Sequence, residues 1–207
     1  MDPKTWLVFV AVSLLPVISP GPAILLAISN ALRFGPSSVL YSALGNMVGL
    51  TLLGFAVAFG LAAIMQASAV VFTVVKFVGA AYLCYFGIKL WRDGKAFQFS
   101  PELPLASKTP RKLFTEALFV SITNPKALVI LAALIPPFVD KGAPVIPQVA
   151  IMSVTYAGLC FVAHLLLAFA GGHVRRFLSS QPRVLAMRRT LGALFIGFGA
   201  ALATAKQ

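Results

Sequence analysis

Acidic residues are scarce in this chain. It has five Asp and Glu against 17 Lys and Arg in 207 residues, and none of the five lies between Gly142 and Gly172. Cysteine and histidine are equally sparse, with two of each. Cys84 and Cys160 both lie inside apolar runs, so neither a disulfide framework nor a metal cluster is indicated. Neither histidine has a nucleophile and an acid close in sequence, and no glycine-rich phosphate loop with its lysine occurs. These absences exclude an enzyme of the common types, and no cofactor or metal is expected. Charge of either sign is missing from Thr5 to Leu32. With 59% hydrophobic residues, 11% charged residues and a mean hydropathy of +0.94, the composition belongs to the membrane class. The net charge of +12 does not mark a nucleic-acid binder, because the basic residues sit in loops between apolar spans and form no folded basic surface.

Proline and glycine are placed where they interrupt these spans. Ile18-Ser19-Pro20-Gly21-Pro22-Ala23 sits within an apolar run that no continuous helix can traverse, since proline lacks an amide hydrogen and its ring clashes with the preceding turn. A helix should stop near Ser19 and restart with Pro22 in its first turn. The feature recurs 104 residues later, half the chain length, at Ile122-Thr123-Asn124-Pro125-Lys126-Ala127. Ile18 and Ala23 match Ile122 and Ala127, and Ser19 matches Thr123. Two copies of one unit are therefore expected, each with a broken first helix.

Six spans follow, over about 5–32, 39–63, 70–90, 114–139, 145–171 and 190–205. Gln66-Ala67-Ser68 is read as a short turn, Lys76 as a snorkelling residue, and Arg92 to Lys112 as a long basic loop. The first span is too long and lacks a small-residue cleavage site, so it does not read as a cleaved signal peptide. The fold class is all-α integral membrane. A single transmembrane domain covers 1–207, with repeat one at about 1–92, a loop at about 93–112 and repeat two at about 113–207. Glycines 45, 49, 79, 87, 192, 197 and 199 read as sites of close helix packing. Trp6 and Trp91 read as interfacial anchors.

Twelve basic residues fall on one side (Arg33, Lys89, Arg92, Lys95, Lys108, Arg111, Lys112, Arg175, Arg176, Arg183, Arg188 and Arg189), against Lys4, Lys141 and Lys206 on the other. This asymmetry puts the long loop in the cytoplasm and both termini outside. Three spans per half is an odd number, so the repeats enter the membrane inverted. The helices restarting at Pro22 and Pro125 would then bring their positive amino-terminal ends together near mid-depth. Free amides from Ala23 to Leu25 and from Lys126 to Leu128 would suit an anion. Lys126 adds an ammonium at a depth where charge usually marks a ligand path. The alternative is a structural lysine bonded to carbonyls that the break releases. Ser19 and Asn124 can cap helix starts or touch ligand. Carbonyls at Val17, Ile18, Val120 and Ser121 are left to receive a substrate ammonium, and the absence of a buried acid disfavours cationic substrates.

Ser19-Pro20-Gly21-Pro22 and Thr123-Asn124-Pro125-Lys126 resemble the paired signatures of the lysine-exporter superfamily, nearest its homoserine/threonine exporter branch. Gly79-Ala80-Ala81-Tyr82-Leu83, Gly87 and the basic loop extend the resemblance over nearly the whole chain. It implies an inner-membrane secondary exporter of amino acids, neutral ones such as threonine, homoserine or a small aliphatic one, driven by an ion gradient with H+ as the expected ion. The substrate-binding residues it implies are Ser19, Pro20, Gly21, Pro22, Asn124, Pro125 and Lys126. Several relatives carry an acidic residue in the fifth span, where this chain has Cys160 and His164. His164 is the candidate proton relay, with a packed, hydrogen-bonded histidine as the alternative. The resemblance leaves open another small metabolite or cation as cargo, a passive channel, and a homodimer.

Overall fold

The structure is a computed structural model that describes residues 1–19, 21–67, 69–92, 108–140, 142–170 and 180–204. Helices account for almost all of them, and no strand occurs among the described residues. Helix α1 (Pro3–Ile18) begins with Asp2 accepting a hydrogen bond from the Thr5 amide at 3.1 Å and with Pro3 in the first turn. It ends at Ser19, whose backbone is extended (φ −69°, ψ 124°), as the residue before a proline prefers. Helix α2 (Pro22–Phe34) restarts at an angle of 61° to α1. Gly35 closes α2 at φ 86°, a left-handed conformation that glycine adopts without strain.

Helices α3 (Ser37–Ala67) and α4 (Ala69–Arg92) follow. The helix passes through Gln66 and Ala67, where the sequence reading placed a turn. Ser68, most of the basic loop and the side chain of Lys76 lie outside the described residues. Helix α5 (Pro110–Ile122) is capped by Thr109, and α6 (Pro125–Leu134) by Asn124. This second pair bends by 56° and ends in a single 3₁₀ turn, Pro136–Phe138. The proline pair thus stops the helix as its chemistry requires. Gln148 then secures the turn into α7 (Val145–Phe169). Its amide receives the Asp140 N–H at 2.9 Å and donates to the carbonyls of Asp140, Ala143 and Pro144.

Helix α8 (Gln181–Thr204) starts nine residues before the expected span. Hydropathy misses these two and a half turns because of their arginines, yet Arg, Leu, Ala and Met are all good helix formers. Arg183, Arg188 and Arg189, assigned to a loop from the sequence, therefore lie on a helix. The repeat spacing also needs a small correction. The first helices of the two pairs end 104 residues apart, at Ile18 and Ile122, but the second helices restart 103 apart, at Pro22 and Pro125. The first break is one residue longer.

Three helices are long and apolar enough to cross a bilayer, within Ser37–Gly60, Val145–Phe169 and Gln181–Ala201, and the two bent pairs raise the number to five. In α4 the described apolar stretch is Phe77–Lys89. The surface carries large apolar side chains, among them Phe59, Val78, Phe119, Leu166 and Phe169, whereas Ser13, Asn30, Asn46, Ser121, Ser153, His164 and Arg188 are buried. Such an inside-out distribution suits hydrocarbon as solvent and would aggregate in water.

Small residues set the packing. Helices α3 and α5 run parallel, with Gly45 against the Phe114 backbone and Gly49 against Leu118 and Ser121. Helices α4 and α8 run antiparallel: Gly87 meets Gly192, Gly199 meets Ala80 and Cys84, and the Trp91 indole donates to the Arg189 carbonyl at 2.6 Å. Trp6 donates to Thr155 of α7 at 3.1 Å. Gly197, in contrast, meets nothing within 4 Å. A Cβ at Gly87 would lie 2.5 Å from the Gly192 carbonyl oxygen, and helix backbones cannot yield as a flexible side chain can. Gly87→Leu should therefore destabilise the purified protein by about 1–3 kcal/mol, read as a lower midpoint in a detergent thermal-shift assay. Gly60→Leu, at a position with open space, should leave the midpoint unchanged.

Candidate functional site

The two helix breaks face each other across a cavity. Pro16, Val17, Ser19, Gly21, Ala23 and Ile24 line it from the first break, and Asn124, Lys126, Ala127 and Ile130 from the second. Asn46 and Leu50 of α3 and Tyr156, Cys160 and His164 of α7 complete the wall. Its free volume is about 40 Å³, room for a few waters and too little for an amino acid.

Lys126 joins the breaks. Its ammonium donates to the Ser19 carbonyl at 2.6 Å and lies 5.5 Å from the centroid of the Phe86 ring, a cation–π distance. Both readings of this lysine thus describe the same geometry, since it bonds a carbonyl released by the break and does so inside the cavity. Gly21 makes room for it. A Cβ there would stand 3.1 Å from Lys126 Cδ and 3.2 Å from Nζ, so the neighbour that Gly21 accommodates is the lysine side chain, where the sequence suggested a ligand.

The free amides are fewer than the sequence implied. Leu25 N–H already bonds Gly21 O at 2.9 Å, and Leu128 N–H bonds Asn124 O at 3.1 Å. Asn124 Oδ1 accepts from Lys126 N–H at 3.0 Å. In α2 the N-cap is Gly21, so no side chain caps the start of that helix. The uncapped positive end of α2 and the Lys126 ammonium therefore flank one cavity, an arrangement suited to an anion. Of the other expected residues, Pro22 and Pro125 occupy first-turn positions of α2 and α6, and Ser19 is fully buried with its hydroxyl unpartnered. Pro20 lies outside the described residues.

His164 is buried in the cavity wall and its Nδ1 has no hydrogen-bond partner, so the fully bonded alternative is not met at that atom. Tyr156 and Cys160 were not proposed as site residues from the sequence. With His164 they recur every fourth residue on one face of α7, a stripe whose period was visible in the sequence. Asn46 lies between Gly45 and Gly49, which the sequence marks as packing sites, and its Oδ1 accepts from Ser121 Oγ at 2.5 Å, which ties α3 to α5 beside the cavity. No group of His, Cys, Asp and Glu able to hold a metal occurs among the described residues.

Among the described residues the fold is all-helical with an apolar surface, and two broken helices converge on a small, mainly apolar cavity that holds the Lys126 ammonium, features that suit a membrane translocator. Residues 14–206 match the LysE type translocator family, and the chain belongs to that family. An uncharacterized membrane protein of Vibrio cholerae serotype O1 is 32% identical over 209 residues, all of both chains. The homoserine/homoserine lactone efflux protein of Salmonella typhimurium is 30% identical over 98% of this chain and 97% of its own. The leucine efflux protein of the same organism is 29% identical over 91% of this chain and 89% of its own. No solved structure matches the chain. The family and its named relatives are translocators and efflux proteins, not enzymes.

Proposed function

We propose that this protein is a secondary exporter of neutral amino acids and that the cavity between the helix breaks is its substrate site. The observation that carries this reading is Lys126, a cation held inside an apolar bundle where it bridges the breaks through the Ser19 carbonyl. An amino-acid carboxylate is the natural competitor for that ammonium, because it adds the Coulomb attraction of an opposite charge to the hydrogen bond that the neutral Ser19 carbonyl accepts. Once displaced, the Ser19 carbonyl becomes an acceptor for the substrate ammonium. A zwitterion inserted in this way must push the breaks apart, since a cavity of about 40 Å³ cannot hold it. Binding would thereby drive the change of access. A second positive charge would find no acid in the cavity, and an unpaired buried cation is strongly disfavoured.

In this reading the chain has six spans in two inverted repeats, as broken helices at matching positions of two repeats are how such transporters place their sites. The parallel course of α3 and α5 and the antiparallel course of α4 and α8 support it, because both follow from six alternating spans. The membrane is the cytoplasmic one, the basic loop faces the cytoplasm, and H+ is the coupling ion with His164 as its carrier. A passive channel has no need of paired breaks.

Efflux of preloaded threonine, leucine and lysine tests the substrate class. The wild type should export threonine or leucine faster than lysine. Lys126→Ala and Gly21→Leu should reduce efflux at least tenfold at normal membrane abundance. Lysine leaving fastest, or both variants transporting normally, would contradict the reading. Orientation is tested with single cysteines at Ser100 and Gln207 in a background lacking Cys84 and Cys160. An impermeant thiol reagent should label only Gln207→Cys in intact cells, and labelling of Ser100→Cys alone would reverse the topology.

A further inference from the structure

Arg188 is 3% exposed, and its Nε and Nη2 have no hydrogen-bond partner. A guanidinium always carries its charge, and burying it without an acceptor is strongly unfavourable. The acidic residues that are described are engaged elsewhere: Asp2 caps α1, Glu116 pairs with Lys108, and Asp140 accepts from the Gly142 amide. Arg188 lies on the inner face of α8, in line with buried Val184, Leu191 and Phe195, while Arg183 and Arg189 beside it are exposed. Phe195 is seven residues further along, about 10 Å. Its ring packs edge-on against Phe86 at 5.3 Å, and the far neighbour of Phe86 is the Lys126 ammonium, 5.5 Å from its centroid. A buried cation, Arg188, and a partly buried one, Lys126, are thus separated by an aromatic pair.

We propose that Arg188 is a second oxyanion-binding station, on the arginine-rich side of the Phe86–Phe195 pair, which holds the carboxylate of an outgoing amino acid before Lys126 does. The proposal rests on the amino-acid reading of the cavity given above. Arg188 suits a carboxylate because its planar fork presents donors in parallel. Its inner-face position favours cargo over a lipid phosphate, the other source of the same chemistry. A station on one side only has a kinetic signature. It lowers the half-saturating concentration for substrate arriving from that side and leaves the opposite side alone, whereas Lys126, at the shared site, acts on both.

The test measures transport of radiolabelled threonine or leucine, whichever the wild type exports faster, in inside-out and right-side-out membrane vesicles. Arg188→Gln should raise KM about tenfold for substrate presented at the cytoplasmic face, a charged hydrogen bond being worth roughly this factor. KM at the external face should stay within twofold, and Arg188→Lys should restore part of the difference. The shift should persist in phosphatidylcholine proteoliposomes. An effect seen only with added phosphatidylglycerol assigns Arg188 to lipid and overturns the proposal, as does an equal change at both faces or none. Should Arg188→Gln fail to accumulate, phenylglyoxal modification of wild-type Arg188, followed by mass spectrometry, decides. Protection by threonine but not by threoninol, which lacks the carboxylate, supports the station, and equal or no protection overturns it. If the wild type transports neither amino acid, the site reading itself is at fault.

Discussion

Hydrocarbon supplies no hydrogen bonds, so every backbone group that a broken helix releases must find a partner inside the protein. The two breaks answer that constraint differently. At the second, the Asn124 side chain caps the restarted helix. At the first, Gly21 has no side chain to cap α2, and the Ser19 carbonyl is taken by Lys126 from the other half of the chain. One ammonium therefore completes a break to which it does not belong. The bond that satisfies the backbone is also the one a ligand carboxylate would contest, which links stability of the empty form to binding.

The rest of the bundle holds the breaks in register. Glycine-lined contacts bring α3 onto α5 and α4 onto α8, and α3 presents Asn46 and Leu50 to the cavity between the breaks. Gly21 belongs to the same design, since the absence of a Cβ there lets the long Lys126 side chain lie across the gap. The outer surface is left to apolar side chains such as Phe169 and Leu166. Polar groups are concentrated inward, where they can act on a small hydrophilic cargo.

Much of this was legible in the sequence because proline, glycine and long apolar runs act locally. The breaks at Ser19 and Thr123, the restarts at Pro22 and Pro125 and the position of Lys126 all follow from backbone chemistry within a few residues. What the sequence hid depends on distant neighbours. That Lys126 reaches Ser19, 107 positions away, is a tertiary fact, and so is the role of Gly21 in admitting it. The amides of Leu25 and Leu128 are not free because the first helical hydrogen bond forms one residue sooner than the count of orphan donors assumed. Asn46 looked like packing because glycines flank it. Arg188 looked like a loop cation because hydropathy alone placed the start of the last helix, and arginine lowers hydropathy without opposing helix formation.

We propose that an amino acid separates the breaks by taking Lys126 away from the Ser19 carbonyl. Spin labels on cysteines at Ile18 and Leu128, both exposed at 56% and 45% and flanking the two breaks, report that separation by electron–electron double resonance in a background lacking Cys84 and Cys160. Saturating threonine or leucine should lengthen the distance in the otherwise wild-type protein, and Lys126→Gln should abolish the response. A distance distribution unchanged by an amino acid that demonstrably binds would contradict the claim.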